Sequence, residues 1–451
     1  MRIALLLALL TAAPAFATPL DDARAILKEA VELPTVKGRG QVPGLAEKLR
    51  DRLVAAGFAP GDVKVEPYKD TAILSAVYRG TGKARPIAVI GHMDVVEADP
   101  KDWTRDPFKL IEEGGYLFGR GVFDNKFDLS VIVATLIRLK HEGFKPRRDI
   151  ILYLSGDEET DDSASLQAKQ AKAAGVEFVL NGDSGGGGLD AGGEPLGYGL
   201  SGAEKTYADF TLEATNPGGH SSLPRADNAI YQLAHALAKI ESYRFPTQVN
   251  AITRASLADA GSREAGPLGA ALKAYAANPA DTAAAATISA DPLWVGQIRT
   301  TCVATQLSGG HAPNALPQRA TANVNCRIFP GTSIAAVHDT LVTVIGDPKV
   351  TVKAAGDWLA PDASPLRPDV VAAVQHAVHA RYPDLKVVPG MDAGATDSVH
   401  YRSLGIPSYG VSGMFIKGSD VFIHGLNERI PVSAIAPALE HWHILLTDLA
   451  K

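Results

Sequence analysis

Apolar strand-like runs alternate with helix-like segments over much of the first 180 residues of the chain, and this pattern restricts the possible folds most strongly. The segments follow one another in the order 72–77, 87–90, 127–141, 149–154, 165–174 and 177–180. Strands that alternate with helices form largely parallel sheets with helices on both faces. The sequence therefore predicts an α/β fold, with a mixed, mostly parallel sheet in the part that would carry catalysis.

Charged and polar residues come directly after several of these apolar runs. His92 follows the run at 87–90, Glu158 and Glu159 follow 149–154, and Asp183 follows 177–180. In open sheets with parallel strands, ligands bind beyond the carboxyl ends of the strands. We therefore expect these side chains to share one site.

The length and a change in sequence character predict more than one domain. A chain of 451 residues exceeds the roughly 250–300 residues that one hydrophobic core usually serves. After the glycine run 185–188, which is predicted to be a loop without a core of its own, the pattern changes to α+β, and it returns to α/β after Trp358. The predicted parts are a signal peptide (1–17), a catalytic domain in two pieces (18–200 and 358–451) and an inserted lid or dimerisation domain (201–357).

The first residues have the features of a cleavable targeting signal. Arg2 precedes an apolar run at 3–11, and small residues flank a cleavage point after Ala17. The apolar run is shorter than the roughly 20 residues that a membrane-spanning helix needs. We therefore expect a secreted or periplasmic protein without a membrane span.

The charge and cysteine content exclude several classes of protein. A formal net charge of −6 with interspersed signs provides no basic stripe for nucleic acid, so small molecules or peptides are the expected partners. The two cysteines, Cys302 and Cys326, are too few for a cysteine-based zinc site. They lie in strand-like segments and could form one disulfide or remain two buried thiols.

Two histidines and several carboxylates suit a divalent zinc site, because zinc prefers nitrogen and oxygen or sulfur donors. Asp94 follows His92 by two residues and could orient its ring. Asp124 lies in a glycine-flexed turn before a predicted helix and could be a ligand or a helix cap. Three consecutive acids at 157–159 would repel one another without a cation, although a solvated acidic loop is the alternative reading.

Several motifs occur together in an order that resembles the M20 metallopeptidases. They are Gly91-His92-Met93-Asp94, Gly119-Arg120-Gly121 with Asp124, Gly156-Asp157-Glu158-Glu159, Gly219-His220-Ser221-Ser222 and His424-Gly425. The family includes carboxypeptidase G2-like enzymes, aminoacylases and succinyl-diaminopimelate desuccinylases. The segment around His220 and the long insertion look closest to carboxypeptidase S-like members.

The resemblance implies two Zn²⁺ ions per chain, for which Co²⁺ or Mn²⁺ could substitute. It places His92 and Asp183 on one ion, Glu159 and His424 on the other, and Asp124 between them as a bridge. It also implies that Glu158 is the general base and that Asp94 orients His92.

The resemblance further implies substrate-binding roles for Asn314, Arg327 and Gly394, which match positions near a substrate carboxylate. His220 matches a histidine that stabilises the oxyanion in the partner's active site of dimeric members, so a homodimer through the inserted domain is expected. The alternatives are a surface role for Arg327 and simple turn roles for Gly394 and His220. The sequence departs from many members in having Phe127 after the Asp124 turn and aspartate at Asp183.

Three functions remain open at this stage. The first is an exopeptidase or dipeptidase that requires a free carboxylate on its substrate, and the second is an N-acyl-amino-acid amidohydrolase. The third is a non-catalytic metal-binding protein, against which Glu158 argues because a binder needs no base. A serine hydrolase and a zincin are disfavoured because Gly-X-Ser-X-Gly and His-Glu-X-X-His are absent.

Overall fold

The predicted alternation is present in the computed structural model, which describes residues 17–160 and 162–451. The predicted signal peptide lies outside the described residues except for Ala17. The helices are α1 (Pro19–Val31), α2 (Val42–Ala55), α3 (Lys126–His141), α4 (Ala164–Ala173), α5 (Ala229–Ser242), α6 (Ala251–Arg263), α7 (Gly266–Ala277), α8 (Thr282–Ser289), α9 (Ile334–Ile345), α10 (Pro368–His379), α11 (Ser398–Ser403) and α12 (Ile435–Ala450). Within these described ranges, none of the helices has the combined length and hydropathy needed to cross a bilayer.

Most strands belong to one large mixed sheet. The strands are β1 (Val63–Tyr68), β2 (Thr71–Tyr78), β3 (Ile87–His92), β4 (Ile111–Glu113), β5 (Tyr116–Phe118), β6 (Ile150–Ser155), β7 (Val179–Asn181), β8 (Gly186–Leu189), β9 (Pro195–Glu204), β10 (Thr206–Thr215), β11 (Gly219–His220), β12 (Thr301–Gly309), β13 (Ala315–Leu316), β14 (Arg319–Ile328), β15 (Val350–Ala354), β16 (Val387–Asp392), β17 (Ser408–Gly410), β18 (Phe415–Lys417) and β19 (Arg429–Pro431). In the described residues the large sheet has the order β1-β2-β6-β3-β7-β17-β9-β8-β18, with β16 added beside β9. Its centre, from β6 through β3 and β7 to β17, is parallel. The predicted α/β class is confirmed.

The central strands β3 and β6 begin with unbroken apolar runs, as expected where helices cover both faces of a sheet. Successive side chains of a strand point to opposite faces. In β3, Val89 packs with the core formed around α1, α3 and α12. Its neighbours Ala88 and Ile90 pack into a separate core with residues of α4 and α11. The uninterrupted apolar run of β3 is therefore the pattern of a strand buried on both sides.

The glycine run 185–188 differs from its prediction as a loop without a core. Residues 186–189 form β8, which pairs with β9 on one side and β18 on the other. A Cβ added at Gly187 would lie 2.1 Å from Cδ1 of Phe415. Glycine is required here because the aromatic ring packs directly on the strand backbone. A strand made of glycines has no apolar side chains, so the sequence showed no strand-like pattern at this segment.

A second sheet, with the order β12-β14-β10-β15, lies within the predicted inserted domain. Helices α5 and α9 cover one of its faces, where Leu233, Val324 and Val337 share a core. The chain changes from the large sheet to this one at Lys205, because β9 ends at Glu204 and β10 begins at Thr206. The alanine-rich stretch at 268–286 is helical but is divided into α7 and α8, and the side chain of Asp281 caps the second helix. Helix α6 has no counterpart in the sequence prediction.

A disulfide joins β12, an edge strand of the smaller sheet, to its neighbour β14. Cys302 on β12 and Cys326 on β14 are direct partners in the antiparallel register, and their sulfur atoms are bonded. This observation resolves the choice between a disulfide and two free thiols in favour of the disulfide.

We expect the double variant Cys302→Ala/Cys326→Ala to be less stable than the wild type. Closing a loop between residues 24 apart restricts the unfolded chain and contributes up to about 3.5 kcal/mol in the loop-entropy model. Urea unfolding monitored by circular dichroism measures the loss. Reduced wild-type protein should match the double variant, and an unchanged midpoint in both samples would contradict a stabilising role.

Candidate metal centre

Three adjacent parallel strands deliver the predicted ligands to one edge of the large sheet. Strand β3 ends at His92, and β6 is followed by the turn that carries Glu158 and Glu159. Strand β7 ends at Asn181, two residues before Asp183. Because β6, β3 and β7 are neighbours with the same direction, their carboxyl ends meet. Sequence order and sheet topology thus bring these side chains together.

Asp124 lies between the two histidines, with one carboxylate oxygen toward each. Its Oδ1 is 3.0 Å from Nε2 of His92, and its Oδ2 is 3.2 Å from Nε2 of His424. Asp183 Oδ1 lies 3.5 Å from the same nitrogen of His92. Glu159 Oε1 lies 2.9 Å from that of His424. All five proposed ligands therefore form one cluster with Asp124 at its centre.

The spacing of these atoms suits two tetrahedral zinc ions. Metal–ligand bonds of roughly 2.0–2.2 Å place neighbouring ligand atoms about 3.3 Å apart. One set (His92, Asp124 and Asp183) and a second set (Asp124, Glu159 and His424) each have ligand atoms within 4.8 Å of one another. His92, Glu158 and Glu159 also meet this limit, so Glu158 lies directly beside the proposed metal positions.

The pKa shifts within the cluster indicate that it favours positive charge. Burial disfavours a charged His92, but Asp183 and Asp124 outweigh this effect and raise its pKa well above the usual value. Hydrogen bonds with Asp124 and Glu159 raise the pKa of His424 to about 10. Burial, in contrast, raises the pKa of Glu158 well above its usual range. The crowded carboxylates thus draw protons onto both rings, and a divalent cation would satisfy the same need.

Asp94 makes contacts that differ from the expected carboxylate–histidine pair. The closest acceptor for Nδ1 of His92 is the backbone carbonyl of Asp94 at 3.1 Å, and the carboxylate Oδ1 is farther away at 3.4 Å. The carboxylate instead accepts the backbone N–H groups of Glu158 and Glu159, at 3.0 and 3.1 Å. Asp94 therefore connects the turn that carries the proposed base with the His92 strand end.

The predicted substrate-binding residues fall into two groups. Arg327 donates from NH1 to the carbonyl of Ala393 at 3.2 Å, which places it beside Gly394. Asn314 is exposed, and its carbonyl accepts the N–H of Ser221, which follows His220. Within the described ranges, neither Asn314 nor His220 forms a hydrogen bond or ion pair with a proposed metal ligand. Arg327 thus reaches the Gly394 turn from β14. In the described residues, Asn314 and His220 form no hydrogen bond with that turn.

Two hollows flank the cluster. A pocket of about 390 Å³ contains the ligands Asp124, Glu159, Asp183 and His424 together with Gly394. Its apolar lining residues are Phe123, Met414, Ile416 and Ile423. A second hollow of about 570 Å³ shares Glu158 and Glu159 and is lined on its far side by Tyr207, Trp358 and Leu359.

Sequence reasoning missed some residues of this site. Asp397 is buried beside Ser155, to which it is hydrogen-bonded, and burial raises its pKa to about 7. An acid directly after the glycine turn could have indicated it. The contact between the tilted rings of Trp358 and Tyr207, whose centroids are 4.8 Å apart, gave no local signal because the two residues are far apart in the sequence.

The family model described as peptidase family M20/M25/M40 matches residues 88–448. The chain belongs to this family. The predicted resemblance is thus confirmed, and the protein is a hydrolase of the M20 peptidase group.

Relatives within the family have different recorded activities. The N-fatty-acyl-amino acid synthase/hydrolase PM20D1 of Xenopus tropicalis is 30% identical over 363 residues, which are 78% of this chain and 70% of the relative. A probable carboxypeptidase S-like protein 2 of Dictyostelium discoideum is 28% identical, over 86% of this chain and 77% of the relative. The M20 metallo-carboxypeptidase of Sulfolobus solfataricus has a similar fold, with a TM-score of 0.71 at 19% identity over 94% of this chain and 98% of its own.

We expect Asp124→Ala to lose most of its capacity for divalent metal, because the bridging carboxylate would contribute to both positions. Metal analysis after equilibrium dialysis measures the content per chain. Asp149→Ala is the matched control, since Asp149 precedes β6 at the opposite edge of the sheet and bonds to Gly80 N. Two ions per chain in Asp124→Ala would rule out the bridge.

Proposed function

We propose that this protein is an exported two-zinc hydrolase that cleaves amide bonds next to a free carboxylate, as a carboxypeptidase-like exopeptidase or dipeptidase. The observation that carries the proposal is the position of Asp124. Its two oxygens point to different histidines, each of which has a further carboxylate beside it. Such a pair of donor sets sharing one carboxylate suits two ions better than one.

The chemistry follows from the positions of the donors and of Glu158. When bound, two zinc ions supply Lewis acidity that activates water near neutral pH and stabilises negative charge on the carbonyl oxygen. Glu158 lies beside the cluster but does not belong to the five proposed ligands. Cations bound there would offset the effect of burial and favour its ionised form, in which the carboxylate can accept a proton from the attacking water. It would then deliver that proton to the leaving amine.

The requirement for a free carboxylate is supported by Arg327 and the Gly394 turn. The guanidinium of Arg327 lies 4.8 Å from the ring centroid of Tyr207, a residue that lines the same hollow as Glu158. A planar guanidinium can bind a carboxylate through two parallel hydrogen bonds. Asn314 would join this set only if the smaller domain moves toward the cleft.

An N-acyl amino acid is the second candidate substrate. The apolar residues Phe123, Met414, Ile416 and Ile423 line the pocket on one side of the cluster. This wall suits an acyl chain, and the Xenopus relative carries the name of an N-fatty-acyl-amino acid hydrolase. Arg327 serves the same role for either substrate, because both leave an amino acid with a free carboxylate.

A substrate panel tests the proposal. We expect release of free amino acid from dipeptides, longer peptides or N-acyl amino acids, and loss of this activity in the presence of a chelator. C-terminally amidated versions should react about 10- to 100-fold more slowly, because a charge-assisted hydrogen bond worth roughly 1.5–3 kcal/mol is removed. Amides cleaved as fast as the free acids would exclude the carboxylate clamp, and preference within the panel distinguishes the two substrate classes.

Export is supported by two independent features. The N-terminal sequence has the charged start, apolar run and small residues of a signal peptide, with the predicted cleavage after Ala17. The disulfide between Cys302 and Cys326 is a bond that forms and persists in oxidising compartments. Together they favour a secreted or periplasmic location.

A homodimer through the smaller domain would bring His220 to a second active site. His220 is exposed, and its Nδ1 is 2.7 Å from Oγ of Ser222. On the same domain the edge strand β12 exposes Val303 and Leu307, by 59% and 70%, and α5 exposes Tyr231 by 65%. An unpaired strand edge with apolar side chains is a surface that a second copy can cover.

Mixing two inactive variants tests this arrangement. His220→Ala should lower kcat about 10²- to 10³-fold with metal content unchanged, as expected for loss of an oxyanion donor. Glu158→Gln should retain metal and lose turnover. Heterodimers of the two would regain activity at the one site that has both groups intact. If verified heterodimers stay inactive, His220 does not act across the interface.

A further inference from the structure

A buried ion pair joins residues that lie close in sequence to two of the proposed metal ligands, Asp124 and His424. Arg120 and Glu428 are 3% and 0% exposed, and their closest nitrogen and oxygen atoms are 2.7 Å apart. Arg120 precedes Asp124 by four residues, and Glu428 follows His424 by the same number. The pair therefore connects the two ligand-bearing loops, which are 300 residues apart in the chain.

Glu428 accepts hydrogen bonds that determine the backbone path leading to Asp124. Its Oε1 accepts the N–H groups of Phe123 at 2.8 Å and Asp124 at 3.1 Å. Its Oε2 accepts the N–H of Gly121 at 3.0 Å in addition to Arg120. The loop thus wraps around one carboxylate, and both oxygens of that carboxylate are surrounded by donors.

Gly121 makes this wrapping possible. Its φ is +78°, in the region that favours glycine, and an added Cβ would lie 2.4 Å from Cγ1 of Val95. The glycine beside Arg120 in the sequence is therefore explained by the turn around Glu428.

Arg120 uses its second nitrogen to hold the other loop. NH2 donates to the backbone carbonyl of His424 at 3.2 Å. His424 has a φ of +59°, which is unfavourable for a residue with a Cβ. A conformation of this kind persists only when surrounding contacts fix it. The guanidinium supplies one such contact from within the core.

We propose that Arg120 and Glu428 are positioning residues that set the geometry of the two metal sites, Glu428 through the bridging ligand Asp124 and Arg120 through His424. This inference rests on the proposed ligand set. It leads to an asymmetry between the two residues. Loss of the Glu428 carboxylate displaces the bridge and should weaken both sites, whereas loss of the Arg120 fork should weaken chiefly the site that contains His424.

The variants Glu428→Gln and Arg120→Lys test the asymmetry. An amide at position 428 keeps the shape of the side chain but places an NH₂ donor against the N–H groups that the carboxylate of Glu428 accepts. A lysine at position 120 keeps the charge but cannot bond Glu428 and the His424 carbonyl as a planar fork. The matched control is Glu177→Gln. Glu177 likewise forms ion pairs with arginine, in its case Arg148 and Arg367, but it lies before β7 at the opposite edge of the sheet.

Zinc affinity is measured on full-length metal-free protein by competition with a chromophoric chelator, with thermal unfolding of the same metal-free samples as the fold control. We expect Glu428→Gln to bind both ions about 10- to 100-fold more weakly, a range typical of changes in residues that support ligands. Arg120→Lys should show one wild-type and one weakened site. Glu177→Gln should bind both ions normally. Excess zinc should restore kcat in Arg120→Lys.

The outcomes separate this inference from the proposed function. Wild-type affinity at both sites in a folded Glu428→Gln, or equal weakening in Glu177→Gln, would overturn the positioning role. If Glu428→Gln does not fold, Arg120→Lys decides: unchanged affinity at both sites overturns the inference. Retention of two ions by Asp124→Ala would show instead that the proposed ligand set itself is wrong.

Discussion

The crowding of like charges at one edge of the large sheet is the constraint on which the rest of the site depends. In the part of the chain that the structure describes, the mostly buried carboxylates of Asp124, Glu159 and Asp183 lie close to two imidazoles, those of buried His92 and half-exposed His424. Burying several anions together is unfavourable unless cations compensate them. In the protein alone, the raised pKa values of His92 and His424 provide part of this compensation. A pair of divalent ions would provide it more completely, so the electrostatics that make the cluster unfavourable by itself also make it a candidate site for divalent metal.

The sheet topology explains how a chain can hold such a cluster in place. Three ligand-bearing segments leave adjacent parallel strands, so the backbone hydrogen bonds of β6, β3 and β7 fix their relative positions. The remaining proposed ligands, Asp124 and His424, come from loops outside the strands of the large sheet. Their positions depend on side chains instead: the carboxylate of Glu428 collects the Asp124 loop, and Arg120 reaches the carbonyl of His424. Regular structure therefore fixes one half of the site, and a single buried ion pair fixes the other.

The difference between these two halves also explains what could be predicted from the sequence. Strand ends are visible as apolar runs followed by polar residues, so the α/β class and the common location of His92 and Asp183 could be inferred from pattern alone. The pairing of Arg120 with Glu428 could not be inferred, because it joins positions 308 residues apart. Arginine and glutamate are also common on protein surfaces, so neither residue type indicates a buried pair. The contact between the rings of Trp358 and Tyr207 could not be inferred either, because these residues are also far apart in the sequence. The β8 strand was missed for another reason: its glycines interrupt the apolar pattern where Phe415 occupies the space of the absent side chains.

The proposed ligands and the proposed substrate groups lie on different parts of the fold. All five proposed metal ligands come from segments outside the predicted insertion at 201–357. His220, Asn314 and Arg327 lie within it, and of these three only Arg327 forms a hydrogen bond with the Gly394 turn in the described part of the chain, through the carbonyl of Ala393. Under the proposed function, a movement of the predicted insertion relative to the large sheet would change contacts with substrate and leave the proposed ligands in place. Under the proposed function, the proposed metal centre would stay preorganised, while the proposed carboxylate and oxyanion groups would approach the substrate as the insertion moves.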